Sequence, residues 1–215
     1  MLREILTQSL VALSAIFVVV DPFAAVPFFL AMTSGQSTEE RRETAKRAAL
    51  GTFLILASFG VAGALVFRAL GITIPAFKIA GGILLLLIAV DMIRTRPSAA
   101  RITDTEVEAG AAKDDVAIVP LAMPLLAGPG SIATVIVLMG RSVQGHWWRG
   151  LPVLGAVLVT GFVTYLVLAG GTRVERVMGR TGMNILERVA GMLLAAIALQ
   201  FMIDGAGEAF PGLLH

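Results

Sequence analysis

The sequence predicts an all-α, polytopic membrane protein. Six transmembrane helices form two inverted three-helix repeats, and spans one and four are broken near the midplane. Three observations carry this. Hydrophobic residues make up 57% of the 215 positions and charged residues 15%, whereas a soluble domain carries roughly a quarter charged. Six stretches reach the ~20 apolar residues that a hydrocarbon core of about 30 Å demands. Two of those stretches carry a Pro-centred interruption, Asp21-Pro22 in one and Gly128-Pro129-Gly130 in the other.

The composition also sets limits. A mean hydropathy of +0.87 excludes a disordered chain and argues against an ordinary cytosolic enzyme. With no Cys there is no disulfide, thiolate metal site, iron–sulfur cluster or cysteine nucleophile, and His146 and His215 are the only imidazoles. No metal and no cofactor are expected. The net charge of +2 is too small to argue for nucleic acid; the expected surroundings are membrane lipid.

The expected spans are 5–32, 48–70, 74–93, 116–140, 151–171 and 182–203. Together with their connections they use nearly the whole chain, so one membrane domain is expected over 1–215. It divides into a first repeat (1–93), a cytoplasmic loop (94–115) and a second repeat (116–215). The first span begins like a signal peptide, but its apolar run continues through Phe28, Phe29 and Leu30 with no convincing cleavage site, so it reads as a retained span. The first connection opens with Ser37 followed by Glu40, a capping pattern for a solvated helix start. The third, with Pro97 and several acidic residues, reads as mobile, and Trp147 and Trp148 beside Arg149 fit an interfacial belt. Gly60, Gly63, Gly155 and Gly161 in spans two and five read as close-packing positions.

Loops one, three and five hold eleven Lys and Arg, against four on the other side. That bias places those loops in the cytoplasm and both termini outside. Internal similarity supports the inversion. Phe77-Lys78-Ile79-Ala80-Gly81 is similar to Glu187-Arg188-Val189-Ala190-Gly191, and Asp21-Pro22 corresponds to Gly128-Pro129 at nearly the same offset. A unit of three spans can repeat only upside down, and inverted repeats place a binding site at their interface.

Asp is a strong N-cap and Pro is favoured at the first helical position, so Asp21-Pro22 reads as a helix restart inside the membrane. Pro120, Pro124 and the run 127–131 do the same in span four. Interrupted backbone at that depth is tolerated only inside protein or along a watery cavity. Each restart aims a positive helix end inward, and two such ends make a cradle for an anion. The candidate binding residues are therefore Asp21, Pro22, Phe23, Lys78, Gly128, Pro129, Gly130 and Ser131. Asp21, an intramembrane carboxylate, is the proton-coupling candidate; as a structural residue it would cap the half-helix and pair with Lys78. Lys78 would pair with Asp21, bind a substrate carboxylate, or snorkel to the interface. Asn184, Glu187 and Arg188 are second-repeat polar candidates. Thr7, Ser14 and Asp21 share one helix face, as a wetted path or as helix contacts. Asp91, Asp204 and Glu208 read as interfacial or terminal.

Three segments carry a resemblance to a known family: Val20-Asp21-Pro22-Phe23-Ala24-Ala25-Val26-Pro27-Phe28-Phe29, Phe77-Lys78-Ile79-Ala80-Gly81-Gly82-Ile83, and Ala122-Met123-Pro124-Leu125-Leu126-Ala127-Gly128-Pro129-Gly130-Ser131-Ile132. They resemble the MarC family, which includes SnatA-type neutral amino acid transporters and is placed with the LysE-like exporters. Ala24 departs from it, standing where Gly is common in similar sequences. The resemblance implies a six-span inner-membrane protein with two inverted halves that moves small neutral amino acids, such as glycine and alanine, with protons. Other readings are an exporter of another small solute or a metal ion, and a structural or sensory subunit. An enzyme is disfavoured, because no His or Cys can activate Ser131.

Overall fold

The computed structural model describes residues 2–94, 117–142 and 150–210. The expectations for the third loop beyond Arg94 and for Trp147, Trp148 and Arg149 lie outside the described residues. Among the described residues the regular elements are all helices. In chain order they are α1 (Leu2–Val20), α2 (Ala25–Met32), α3 (Thr38–Leu70), α4 (Ile74–Ile93), α5 (Ala117–Leu126), α6 (Pro129–Ser142), α7 (Leu151–Ala169) and α8 (Gly171–Ala209).

Among the described residues, four stretches are long and apolar enough to cross a membrane unbroken: Thr38–Gly63, Ile74–Ile93, Leu151–Ala169 and Thr181–Ala209. The pairs α1/α2 and α5/α6 pass the same test only together, bent by 48° and 62°, which brings the spans to as many as six. α4 has the ends expected from its sequence. Thr73 caps it by accepting from the Ala76 amide at 3.3 Å, and Pro lies in its first turn. At the start of α3 the capping pattern forms reciprocally: the Ser37 amide donates to Glu40 Oε2 at 2.7 Å, and the Glu40 amide donates to Ser37 Oγ at 3.3 Å.

One expected connection is helical instead. Residues 172–181 belong to α8, which departs from helical geometry at Gly179 (φ 60°, ψ 179°). Hydropathy reports partition into lipid, and residues such as Arg173, Glu175 and Arg176 form helix well while failing that test. Gly179 supplies the left-handed backbone that turns this polar start into the apolar span.

The tightest packing is between α4 and α8. A Cβ on Gly82 would stand 2.5 Å from Met202 Cγ and 2.7 Å from the Ala198 carbonyl oxygen. One on Gly191 would meet Met92 Cβ at 2.9 Å, and one on Gly205 the Pro75 carbonyl oxygen at 2.8 Å. The start of α4 thus faces the end of α8, and the two run antiparallel. α3 and α7 are antiparallel too: Gly60 faces Leu154, and Gly161 faces Ala49 and Phe53. Gly63 meets Ile136 of α6, whereas Gly155, expected at a contact, has nothing within 4 Å of its Cβ position. α7 turns that glycine outward, a rotation that the pattern of small residues does not encode.

Two clusters fill the interior. The larger joins Ile16, Val20, Val26 and Phe29 of the first broken pair to Leu121, Leu126 and Val135 of the second and to Val157 and Leu168 of α7. The smaller joins Val19 and Val137 to Leu85, Ile88, Leu194 and Ala198 on α4 and α8. Outside, Leu10, Leu65, Leu87, Phe162 and Leu193 are exposed. Apolar surface of that extent suits a lipid solvent.

Gly82→Ala is expected to cost about 1–3 kcal/mol by forcing α4 and α8 apart. Gly155→Ala is expected to be neutral or stabilising by up to about 1 kcal/mol, because it fills open space and favours helix. Thermal unfolding of the two variants in detergent checks the contrast.

Candidate functional site: two interrupted helices

α1 ends because its chain turns left-handed at Asp21 (φ 47°), whose amide still closes the last turn on the Phe17 carbonyl at 2.9 Å. Among non-glycine residues, Asp and Asn tolerate this region best. The side chain then serves the next element. Oδ1 of Asp21 accepts from the Ala24 amide at 3.3 Å, which caps the turn leading into α2. The expected restart is therefore present, with one shift: α2 proper begins at Ala25, and Pro22, Phe23 and Ala24 form an intervening turn. The Phe23 ring meets Phe17 edge-on across the break, centroids 6.3 Å apart. Asp21 and Pro22 are buried; Asp21 is only 5% exposed. α1 holds 19 residues, a rise of about 28 Å, so Asp21 lies beyond the centre of a ~30 Å core measured from the N-terminal end.

The second interruption is built differently. Val119 and Met123, each preceding a proline, are driven to extended backbone, so α5 is a helix broken at these two residues. The chain closes with the Ala127 amide on the Ala122 carbonyl at 2.8 Å and restarts at Pro129. Gly128 is required there, since a Cβ would stand 2.7 Å from the Pro124 carbonyl oxygen. Gly130 lets the first turn of α6 press on Leu85 of α4, 2.6 Å from where its Cβ would be. The buried Ser131 hydroxyl donates to the Leu126 carbonyl at 2.9 Å, and Thr134 donates to Gly130 at 2.9 Å. Ser131 thus satisfies a carbonyl released by the break, while the backbone amides of Gly130 and Ser131 lie in the first turn of α6, where helix geometry gives amides no partner.

The two interruptions border one apolar core. Val20 and Ala25, flanking Asp21, share one core cluster with Leu126 and Ala127, which precede Gly128. The structure does not gather every candidate there. Lys78 is 1% exposed, and its ammonium is held by both carboxylate oxygens of Glu208 near the end of α8. Asn184 is exposed on α8 shortly after its break at Gly179, in a cleft of about 320 Å³ with Val26, Pro27, Glu175, Gly179 and Met183. The 24 residues from Asn184 to Glu208 rise about 36 Å, so Asn184 and Lys78 lie far apart along α8. Arg188 is exposed and Glu187 half-buried. Thr7 and Ser14 are exposed on the face whose deep end is Asp21. Among the described residues no three His, Cys, Asp or Glu side chains converge as metal ligands.

Two contributors were not legible. Glu208 reads as a terminal residue until α4 and α8 are known to be antiparallel. Arg41, one of several loop cations, donates to the Thr33 carbonyl at 3.0 Å and to Thr172 Oγ1 at 3.2 Å. It ties the end of α2 to the starts of α3 and α8, a cation at a helix C-terminus.

A profile described as "MarC family integral membrane protein" matches residues 6–210. A UPF0056 membrane protein of Aquifex aeolicus is 40% identical over 196 residues, covering 90% of this chain and 90% of its own length. One from Methanocaldococcus jannaschii is 41% identical over 197 residues, covering 91% and 94%. The UPF0056 membrane protein YhcE of Escherichia coli is 33% identical over 200 residues, covering 93% and 92%. No solved structure matches the chain.

Asp21→Asn keeps both the left-handed tolerance and an acceptor for the Ala24 amide, so its unfolding temperature in detergent should stay close to wild type. Asp21→Ala loses both and should be destabilised by about 1–2 kcal/mol.

Proposed function

The chain belongs to the MarC family of integral membrane proteins, and from that premise we propose that it is a secondary transporter of small neutral amino acids such as glycine and alanine, coupled to protons. The observation that carries this reading is the pair of interrupted spans that share a core, with a buried carboxylate at one break. A helix broken in lipid is costly unless the break is used, and a buried Asp without function would be replaced at little loss by a neutral cap. In the proposed site the first-turn amides of α6, at Gly130 and Ser131, hold the substrate carboxylate. Pro22 and Phe23 shape the wall. Asp21 meets the ammonium group or carries the coupling proton, and Lys78 and the Asn184–Glu187–Arg188 stretch act at the two mouths.

Inverted halves are part of the proposal. The partnering of α3 with α7 and of α4 with α8 supports it, since each pair joins corresponding spans and both pairs are antiparallel. The excess of Lys and Arg in loops one, three and five supports termini on the outer face of a bacterial inner membrane. The pairing also disfavours a purely structural subunit, because a scaffold has no need of two breaks.

Uptake and counterflow of labelled glycine and alanine into proteoliposomes, with and without a pH gradient, test the reading. Saturable transport that follows the gradient and falls at least about tenfold in folded Asp21→Asn is expected. No transport by folded wild-type protein overturns it.

A further inference from the structure

The pair between Lys78 and Glu208 is lopsided. Lys78 is 1% exposed and Glu208 49%. Lys78 is anchored in the second turn of α4, whereas Glu208 is one residue from the end of α8. A buried ammonium needs a carboxylate, because leaving it unpaired in an apolar setting is strongly destabilising. Here that carboxylate comes from the place where a helix frays most readily and water is nearest. The cation is fixed and its partner is exchangeable.

The surroundings suit an exchange. Gly205, one turn before Glu208, lets the Lys78 stem lie against α8, with a Cβ position only 3.0 Å from Lys78 Cβ. The chain around Glu208 is Gly205-Ala206-Gly207 and Ala209. When the Glu208 side chain swings outward, no bulky neighbour on that turn closes over the ammonium, so a small carboxylate can take its place.

We infer that Lys78 is a carboxylate-binding site at one mouth of the protein, and that Glu208 fills it as an internal stand-in which a ligand carboxylate displaces. This rests on the transport reading for its role, making Glu208 the competitor that sets apparent affinity at that mouth; the site itself is testable without transport. A purely structural latch would hold α4 to α8 and have no preference among added solutes.

The full chain in detergent is probed with acetate, glycine and, as the solute lacking a carboxylate, methylammonium. In Glu208→Gln, acetate and glycine at roughly 50 mM should raise the unfolding temperature by about 3 °C or more, and methylammonium should not. Wild type, where Glu208 competes, should shift less than Glu208→Gln with acetate, and adding Lys78→Gln should abolish the acetate response. Glu208→Asp, which keeps the charge on a shorter arm, should show a smaller shift of the same pattern and carries the test if the Gln variant does not fold. In proteoliposomes, Glu208→Gln should lower the KM for glycine about threefold or more, since the competent fraction rises; a structural latch predicts an unchanged or raised KM. Absence of any carboxylate-specific shift in the folded variant, or an acetate shift that survives loss of Lys78, overturns the inference while leaving the transport reading standing. A carboxylate-specific shift in a protein that transports nothing overturns the transport reading and leaves the site.

Discussion

In a lipid solvent, each backbone amide and carbonyl must find its partner inside the protein. The interruptions at 21–24 and 127–128 concentrate that demand, and much of the architecture answers it. Asp21 closes α1 with its amide and caps the following turn with its carboxylate. Ser131 and Thr134 return hydroxyl protons to carbonyls around the second break. Arg41 takes up the Thr33 carbonyl at the end of α2. These polar devices work because α3 and α7 surround the breaks with apolar side chains, which keeps them away from hydrocarbon.

Around those flexed elements stands a stiffer pair. α4 and α8 approach through Gly82, Gly191 and Gly205 along much of their length, a close antiparallel contact that leaves little freedom to slide. Van der Waals contact of this kind holds helices together in lipid, where no hydrophobic force separates apolar helix from apolar solvent. The same closeness brings Lys78 under the end of α8 and makes Glu208 its natural partner. This pair meets the second broken span at Gly130 on Leu85 and at Gly81 on Ala133, so the second break packs directly on α4.

Much of the fold was legible because its signals are local. Length and hydropathy mark a span, and α4 matches its expected ends. Asp-Pro marks a restart, and Ser37 with Glu40 marks a cap. The polar start of α8 was missed because hydropathy measures partition into lipid and is blind to a helix lying outside it. Gly155 was misjudged because a glycine has the same letter whether it faces a neighbour or the bilayer. The candidate site was legible residue by residue, since charge and proline in an apolar run are conspicuous. Its grouping was not: Arg188 and Lys78 correspond in the repeat, yet Lys78 is buried against Glu208 at the end of α8 while Arg188 is exposed about twenty residues earlier.

By itself the sequence determined a helical membrane protein, the two places where its spans break, and the residue types at each break. Those follow from solvent transfer and from the stereochemistry of proline, glycine and aspartate, which act over a few residues. Tertiary structure alone decided that the two breaks share one core, that Lys78 meets Glu208, and that Arg41 binds three elements together. Each of these joins positions far apart in the chain, and they meet only when antiparallel helices bring opposite ends side by side.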